Sequence, residues 1–210
     1  SGQLGQSLNS IATNYPDTAI TFVNRADLDL SDEKSIDDFF KQNQFDLIIN
    51  CAAYTAVDKA ESEPELADKI NHLAVKQLAE LAKQQNAKLI HISTDYVFNG
   101  MQYRPYIETD DVAPQSVYGD TKLKGEQALL ETMPNNALVI RTSWVYSEYG
   151  NNFVKTMLRL GQERDVLNVI FDQVGTPTYA HDLAEAIMAI VESDNFKQAT
   201  FNSELYHYSN

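Results

Sequence analysis

The chain has 210 residues, which is enough for one large α/β domain or for one domain and part of another. Its net charge of −14 and its 16 scattered lysines and arginines exclude a clustered basic surface for nucleic acid, and it has no apolar run of a length that predicts a membrane span. Because Cys51 is the single cysteine, the sequence excludes an internal disulfide framework and indicates a reducing compartment.

The chain begins with Ser1-Gly2-Gln3-Leu4-Gly5, which reads as the second half of a G-x-x-G-x-x-G turn. Such a turn connects a strand to a helix whose first amides bind a pyrophosphate. We therefore expect a central first strand that belongs upstream of residue 1.

Short apolar runs then alternate with segments of helical periodicity. The predicted strands are 19–24, 46–50, 88–93 and 137–141, and 205–209 reads as the start of another. The predicted helices are 3–13, 32–42, 63–86, 116–132, 151–163 and 180–192. Continuous apolar strands separated by helices predict an α/β fold with a doubly wound, Rossmann-like parallel sheet.

Polar residues follow three of these strands, at the edge where ligands bind to an open parallel sheet. They are Asn50-Cys51-Ala52-Ala53-Tyr54-Thr55, Ser93-Thr94-Asp95 and Thr142-Ser143-Trp144. The small residues Ala52 and Ala53 would let a cofactor approach closely. His91, inside a predicted strand, reads as a packed core residue.

Tyr118 and Lys122 are four residues apart and therefore share one face of a predicted helix. An ammonium group near a phenol stabilises the phenolate and lowers the pKa of the phenol. Tyr118 could then protonate the alkoxide that forms when a ketone is reduced, while Thr94 hydrogen-bonds the carbonyl oxygen. The Tyr-x-x-x-Lys spacing alone is common by chance. It predicts this chemistry only together with the other motifs.

The motifs occur in a characteristic order along nearly all of the chain. After the glycine turn come Asn50–Pro64, Ser93–Phe98, Tyr118–Glu126, Arg141–Tyr146 and Gly150–Met157. In this order they resemble the dTDP-4-dehydrorhamnose reductases, a family of the extended short-chain dehydrogenase/reductase superfamily. The resemblance implies that NAD(P)H reduces the C4 ketone of dTDP-4-dehydro-6-deoxy-L-mannose to give dTDP-L-rhamnose.

The resemblance also implies roles for individual residues. Tyr118 would be the proton donor, Lys122 its partner and a cofactor ligand, and Thr94 the hydroxyl that orients the carbonyl. The substrate would contact Thr94, Asp95 and Trp144, although Trp144 also fits a purely packed aromatic. The cofactor would contact Gly2, Gln3 and Leu4 at its pyrophosphate, Asp29 and Leu30 at its adenine, and Ala53, Tyr54 and Thr55 at its ribose and nicotinamide.

The strand predicted at 19–24, which would be the second after the strand expected upstream, ends in Val23-Asn24-Arg25. A site selective for NAD usually has an acid at this point. Asn24 removes the repulsion against a 2′-phosphate and Arg25 could pair with it, so we expect NADPH, with NADH as the alternative. A solvated loop explains Arg25 equally well. No metal site is predicted, and the sequence assigns no ligand for Mg²⁺.

We expect residues 1–165 to form the NAD(P)-binding domain and residues 166–210 to begin a substrate lobe with a returning helix, most of that lobe lying outside this chain. The resemblance implies a cytoplasmic enzyme, and the composition predicts no nucleic-acid or membrane partner. The sequence leaves the oligomeric state open, with a homodimer as one option. Two alternatives stay open. One is a non-catalytic NADP-binding regulatory subunit like the β subunit of methionine adenosyltransferase, against which the presence of Thr94, Tyr118 and Lys122 argues. The other is a different nucleotide-sugar reductase or epimerase.

Overall fold

A computed structural model of the protein describes residues 2–210. The strands are β1 Leu47–Asn50, β2 Lys88–Thr94, β3 Ala137–Thr142, β4 Val145–Tyr146, β5 Thr178–Tyr179 and β6 Glu204–His207. The helices are α1 Gln3–Ile11, α2 Glu33–Gln42, α3 Val57–Ala60, α4 Pro64–Asp68, α5 Ala74–Gln85, α6 Val117–Thr132, α7 Phe153–Glu163, α8 Ala180–Glu192 and α9 Asp194–Lys197. Short 3₁₀ helices span Ala12–Asn14 and Asp95–Val97, and a π-helical turn spans Lys69–Leu73.

Contacts divide the chain into two compact units. The first unit contains residues 2–22, 142–193 and 208–210, and the second contains residues 23–141 and 194–207. These units group residues by contact, whereas the predicted division at residue 165 concerns which ligand each part binds. That division therefore stays a prediction.

The second unit contains a parallel sheet in the strand order β1-β2-β3-β6. Asn50 pairs with His91 in register, and Arg141 pairs with His207, so the carboxyl ends of the strands meet at one edge. Apolar residues of α2, α5 and α6 pack with those of β2 and β3 into one buried core. The predicted α/β, Rossmann-like fold with a parallel sheet is confirmed.

The strand predicted at 19–24 is wrong, because these residues lie in no strand. An apolar segment counts as a strand only when backbone hydrogen bonds join it to a neighbour. Within residues 2–210, no strand of the sheet pairs with this segment. Residues 204–207, by contrast, do form a strand, and it extends the central sheet beside β3.

The helix predicted at 63–86 consists of α4, the π-helical turn and α5, which follow one another without a break. Pro64 begins it and Asn86 ends it in a left-handed conformation with φ of 56°. A π-helical turn inside an α-helix often marks a functional site. Here it carries the buried side chain of Asn71.

In the first unit, α1 packs against α8 through apolar faces. Leu4, Leu8 and Ile11 of α1 are buried, as are Leu183 and Ile187 of α8. The short strands β4 and β5 pair in parallel. None of the helices in residues 2–210 combines the length and the apolar character that crossing a bilayer would require.

Candidate functional site

Helix α6 positions the two residues of the Tyr-x-x-x-Lys motif. Ser116 caps its start, accepting a hydrogen bond from the Gly119 amide at 3.1 Å. Four residues span slightly more than one helical turn, so Tyr118 and Lys122 lie on the same face. That face is buried, since Tyr118 is 9% exposed and Lys122 is 1% exposed.

Tyr118 lies in an apolar cluster with Ala60 and Ala67, and its ring meets that of Tyr96 edge-on at 5.4 Å. Burial raises the pKa of the Tyr118 phenol to about 12, and the Thr94 side chain opposes this rise through a hydrogen bond. The prediction that Lys122 lowers this pKa is therefore wrong. Desolvation of the phenolate outweighs every favourable interaction that the site provides.

Thr94 ends β2, and Asp95 begins the 3₁₀ turn that follows. The Thr94 hydroxyl donates to the Asp95 carboxylate at 3.1 Å and accepts from the Tyr96 amide at 3.2 Å. Burial raises the pKa of Asp95, against the effect of the hydrogen bonds that its carboxylate accepts from the Thr94 hydroxyl and from the backbone. The structure thus brings Thr94, Asp95 and Tyr118 together at the carboxyl end of β2.

Lys122 Nζ donates to the Ile92 carbonyl at 2.6 Å and lies 3.2 Å from His91 Nε2. Burial lowers the pKa of Lys122 to about 8, and the Glu126 carboxylate opposes this change. His91 is buried as predicted, yet it contacts a predicted catalytic residue, which the sequence reading missed. The alternation of side chains along β2 was the signal that could have placed it beneath α6.

The loop after β1 contains Ala52, Ala53, Tyr54 and Thr55. Asn71, which the sequence reading also missed, holds this loop by both ends of its amide: it accepts from the Tyr54 amide at 2.8 Å and donates to the Tyr54 carbonyl at 3.1 Å. Asn71 also donates to the Thr121 hydroxyl of α6 at 3.3 Å. A polar residue in an otherwise apolar helical face was its only sequence signal.

The backbone of α6 comes unusually close to the 3₁₀ turn at Tyr96 and to the π-helical turn at Asn71. A Cβ on Gly119 would lie 2.2 Å from the Tyr96 carbonyl oxygen, and one on Gly125 would lie 2.1 Å from the Asn71 carbonyl oxygen. Real Cβ atoms do not approach that closely, so only glycine fits at either position.

The predicted adenine region lies in the loop before α2. Asn24 folds back to accept from the Ala26 amide at 2.7 Å, and Arg25 forms an exposed ion pair with Asp29 at 3.3 Å. Asp29 also accepts from the amide and the hydroxyl of Ser31, which lowers the pKa of Asp29. Leu30 packs against the core of the unit.

The glycine turn lies in the first unit, at the start of α1. Gly2 is the exposed N-cap residue, and it has no side chain with which to cap the first amides. A Cβ on Gly2 or Gly5 would meet no described atom within 4 Å, so this helix start is open to an anion such as a pyrophosphate. Leu4 is buried, whereas the Gln3 side chain hydrogen-bonds Val145, Ser147 and Asn152.

Trp144 also lies in the first unit, and its backbone is left-handed with φ of 48°. A bulky residue rarely adopts this conformation, and residues with such backbone strain are concentrated at functional sites. Its indole meets the Phe153 ring edge-on at 5.6 Å, and a Cβ on Gly175 would lie 2.7 Å from the indole nitrogen. Trp144 is nevertheless 38% exposed, which leaves part of the ring free for contact.

Within residues 2–210, no three histidine, cysteine, aspartate or glutamate side chains cluster closely enough to hold a metal ion. In the first unit, the open start of α1 fits a phosphate group. In the second unit, the loop held by Asn71 and the buried amine of Lys122 offer polar groups at the carboxyl ends of the strands.

Comparisons with known proteins agree with this arrangement. The protein family described as RmlD substrate binding domain matches residues 1–210. The dTDP-4-dehydrorhamnose reductase of Aggregatibacter actinomycetemcomitans is 43% identical over 99% of this chain, and that of Escherichia coli is 52% identical over 75% of it. The matched regions span 70% and 52% of those two relatives, respectively. The crystal structure of dTDP-4-dehydrorhamnose reductase from Bacillus anthracis in complex with NADP matches the whole chain with a TM-score of 0.89, at 39% identity and over 71% of its own length.

Proposed function

We propose that this chain, which belongs to the RmlD substrate binding domain family and thus to the dTDP-4-dehydrorhamnose reductases, serves to reduce the C4 ketone of dTDP-4-dehydrorhamnose to give dTDP-L-rhamnose. The observation that carries this proposal is the buried Tyr118 phenol, which interacts with the Thr94 hydroxyl at the carboxyl end of β2. Ketone reduction requires one group that orients the carbonyl oxygen and one that protonates it.

A reduced nicotinamide, when bound, supplies the hydride for this reaction. We assign the pyrophosphate to the amides of Gly2, Gln3 and Leu4, and the ribose and nicotinamide to Ala52, Ala53, Tyr54 and Thr55 with Lys122. The open helix start supports the first assignment, and the small exposed residues of the loop held by Asn71 support the second.

The proton step belongs to Tyr118. Its pKa of about 12 keeps the phenol protonated at neutral pH, which is the form that a proton donor needs. Thr94 would orient the carbonyl oxygen by turning its single hydroxyl hydrogen from the Asp95 carboxylate to that oxygen, so Tyr118 can transfer its proton as negative charge develops there.

For the substrate we propose contacts with Asp95 and with the exposed part of Trp144. The carboxylate of Asp95 already accepts from Thr94, and its remaining acceptor capacity suits a sugar hydroxyl. The exposed indole suits the apolar face of a deoxysugar.

We propose NADPH as the preferred cofactor, with NADH as the alternative. Asn24 adds no negative charge near a 2′-phosphate, and Arg25 can exchange its exposed partner Asp29 for that phosphate. Asp29 and Leu30 would then lie beside the adenine. The cytoplasmic location, the homodimer and the division of the chain at residue 165 are further parts of this proposal.

The test is oxidation of NADPH by the purified full-length protein, given enzymatically generated dTDP-4-dehydrorhamnose. Wild type, Tyr118→Phe and the matched control Tyr15→Phe are compared. We expect turnover in wild type and in the control, and a loss of about 10²-fold or more in Tyr118→Phe, because general acid catalysis contributes on that order.

Binding of NADPH without turnover would contradict the proposal and would favour the regulatory subunit. Turnover of a different dTDP-sugar ketone, with this substrate inert, would favour another reductase of the same scaffold. Equal activity in Tyr118→Phe and wild type would contradict the assignment of the proton donor.

A further inference from the structure

Gln3 is the first residue of α1, and its backbone and its side chain contact different parts of the first unit. Its backbone amide belongs to the helix start assigned above to the pyrophosphate, where the first amides have no acceptor within the helix. Its side-chain amide instead hydrogen-bonds Val145, Ser147 and Asn152. One residue therefore joins the start of α1 to the segment 144–153.

The three hydrogen bonds fix the orientation of the Gln3 amide. The Val145 carbonyl lies 3.0 Å from the amide and can only accept, so the atom that faces it must be Nε2. Oε1 accepts from Asn152 Nδ2 at 2.8 Å and from the Ser147 hydroxyl at 3.0 Å, which uses both of its lone pairs. The single hydroxyl hydrogen of Ser147 also lies within reach of the Tyr149 carbonyl at 3.2 Å, so Asn152 is the steadier donor.

The turn that carries Ser147 and Asn152 is closed by its own hydrogen bonds. Asn152 Nδ2 also donates to the Ser147 carbonyl at 2.8 Å, and Asn152 Oδ1 accepts from the Lys155 amide at the start of α7. Gly150 has a left-handed backbone with φ of 61°, and its carbonyl accepts from Lys155 Nζ at 2.8 Å. The partners of Gln3 are therefore held in place before Gln3 binds them.

The same partners adjoin the aromatic pair of Trp144 and Phe153. Val145 directly follows Trp144 in the chain. Asn152 directly precedes Phe153, whose ring meets that of Trp144 edge-on at 5.6 Å. The left-handed backbone of Trp144, with φ of 48°, is strained and persists only where its surroundings hold it. Gln3 is one of the groups that hold it, through the next carbonyl of the chain.

We propose that Gln3 is a positioning residue that couples a pyrophosphate at the start of α1 to a deoxysugar at Trp144, so that each binds more tightly in the presence of the other. A pyrophosphate bound to the first amides of α1 fixes the backbone of Gln3, and its side chain then holds Val145 and Asn152. The sugar meets a segment that is already ordered and loses less conformational entropy on binding. Coupling between two sites is reciprocal, so the sugar strengthens cofactor binding by the same factor. The identity of the two ligands rests on the proposed function.

The direct test follows Trp144, the single tryptophan of the chain, by ¹⁹F NMR of the full-length protein labelled with 5-fluorotryptophan. Trp144→Phe assigns the signal. The probe is 2′-phospho-ADP-ribose, which has the pyrophosphate but no nicotinamide that could touch the indole. It should shift or narrow the Trp144 signal in wild type. Gln3→Met keeps the backbone amide and the side-chain length, so it should bind the probe within about tenfold of wild type but without that change.

The matched control is Asn9→Ala, an exposed change later in α1, which should respond like wild type. Ser147→Ala removes one of the two donors to Gln3 Oε1 and should give a smaller response than wild type. No response in wild type, or an equal response in Gln3→Met, would overturn the proposal. Loss of probe binding in folded Gln3→Met would also overturn it, because the side chain would then bind the phosphate itself. If Gln3→Met does not fold, an unchanged response in Ser147→Ala would overturn it.

The coupling itself is measured by calorimetry with NADPH and dTDP-L-rhamnose, a pair that cannot react because both are reduced. NADPH should lower the dissociation constant of dTDP-L-rhamnose by about fivefold or more in wild type, and by less than about twofold in Gln3→Met. Equal factors in the two proteins would overturn the proposal. Neither measurement uses turnover, and the NMR test requires only that the probe binds. Failure of the reductase activity is therefore distinguishable from failure of the coupling.

Discussion

Replacement of Gly125 by alanine tests the close approach of α6 to the π-helical turn that carries Asn71. A Cβ at this position would lie 2.1 Å from the Asn71 carbonyl oxygen and 3.5 Å from Val75 Cγ2. An ordinary carbon–oxygen contact is longer by roughly 1 Å, so α6 and the π-helical turn must move apart by about that distance. The obstacle is backbone, which cannot rotate away as a side chain can.

Three contributions set the size of the effect. Alanine favours a helix over glycine by about 1 kcal/mol. Overpacking against a rigid neighbour costs about 3 kcal/mol, at the upper end of its usual range. Moving Asn71 also weakens its two hydrogen bonds to Tyr54, each of which contributes about 1 kcal/mol. We therefore expect Gly125→Ala to lower the free energy of unfolding by about 3 kcal/mol.

The assay is urea unfolding followed by circular dichroism, with Gly161→Ala as the matched control. Gly161 is exposed in the interior of α7, and a Cβ there would meet no described atom within 4 Å. The control should be more stable than wild type by about 0.5–1 kcal/mol, from helix propensity alone. If Gly125→Ala proved as stable as Gly161→Ala, the close approach of α6 to Asn71 would be refuted.

Three further predictions follow from the same unit. Asn71→Ala frees the Tyr54 loop, so the dissociation constant for NADPH should increase by about tenfold, measured by fluorescence titration with Asn43→Ala as the control. Glu126→Leu leaves the buried Arg141 without its partner and should lower the free energy of unfolding by about 3–5 kcal/mol in urea, whereas adding Arg141→Leu should restore most of it; equal losses in both variants would contradict the ion pair. The folded pKa of Lys122, about 8, lies below its ordinary value of 10.5, so between these values the unfolded chain binds more protons and stability rises with pH. Wild type should therefore gain stability relative to Lys122→Met between about pH 8 and about pH 10, and a constant difference in urea unfolding would contradict the lowered pKa.

Local sequence pattern predicted the elements that depend on local physics. The strands near 46–50, 88–93 and 137–141, the helix capped by Ser116 and the helix that begins at Pro64 lie within a few residues of their predicted bounds. The predicted strand at 19–24 failed because pairing with a neighbour decides whether an apolar segment becomes a strand. The π-helical turn within 63–86 was also missed; it lies where the helix meets α6 at Gly125, a contact between segments that are distant in sequence.

In the candidate site too, local spacing predicted some features, whereas others depend on the whole fold. The spacing of Tyr118 and Lys122 correctly predicted that they share a face, but it indicated the wrong direction for the pKa of Tyr118. A charge four residues away matters less than the solvent that burial removes, and burial is a property of the whole fold. His91 and Asn71 were missed for a related reason: each acts through a partner that is distant in sequence, Lys122 and Tyr54 respectively.

Two glycines explain how α6 packs against two turns of the candidate site at once. Gly119 lets α6 touch the turn that follows Thr94, and Gly125 lets it touch the turn that holds the Tyr54 loop. Lys122 lies between these two contacts and Tyr118 directly precedes the first, and both side chains are buried. Desolvation favours the neutral form of each group, so it keeps the proton on the phenol and favours its loss from the amine. The same burial therefore keeps the Tyr118 phenol protonated and, one turn away, lowers the pKa of Lys122 to about 8.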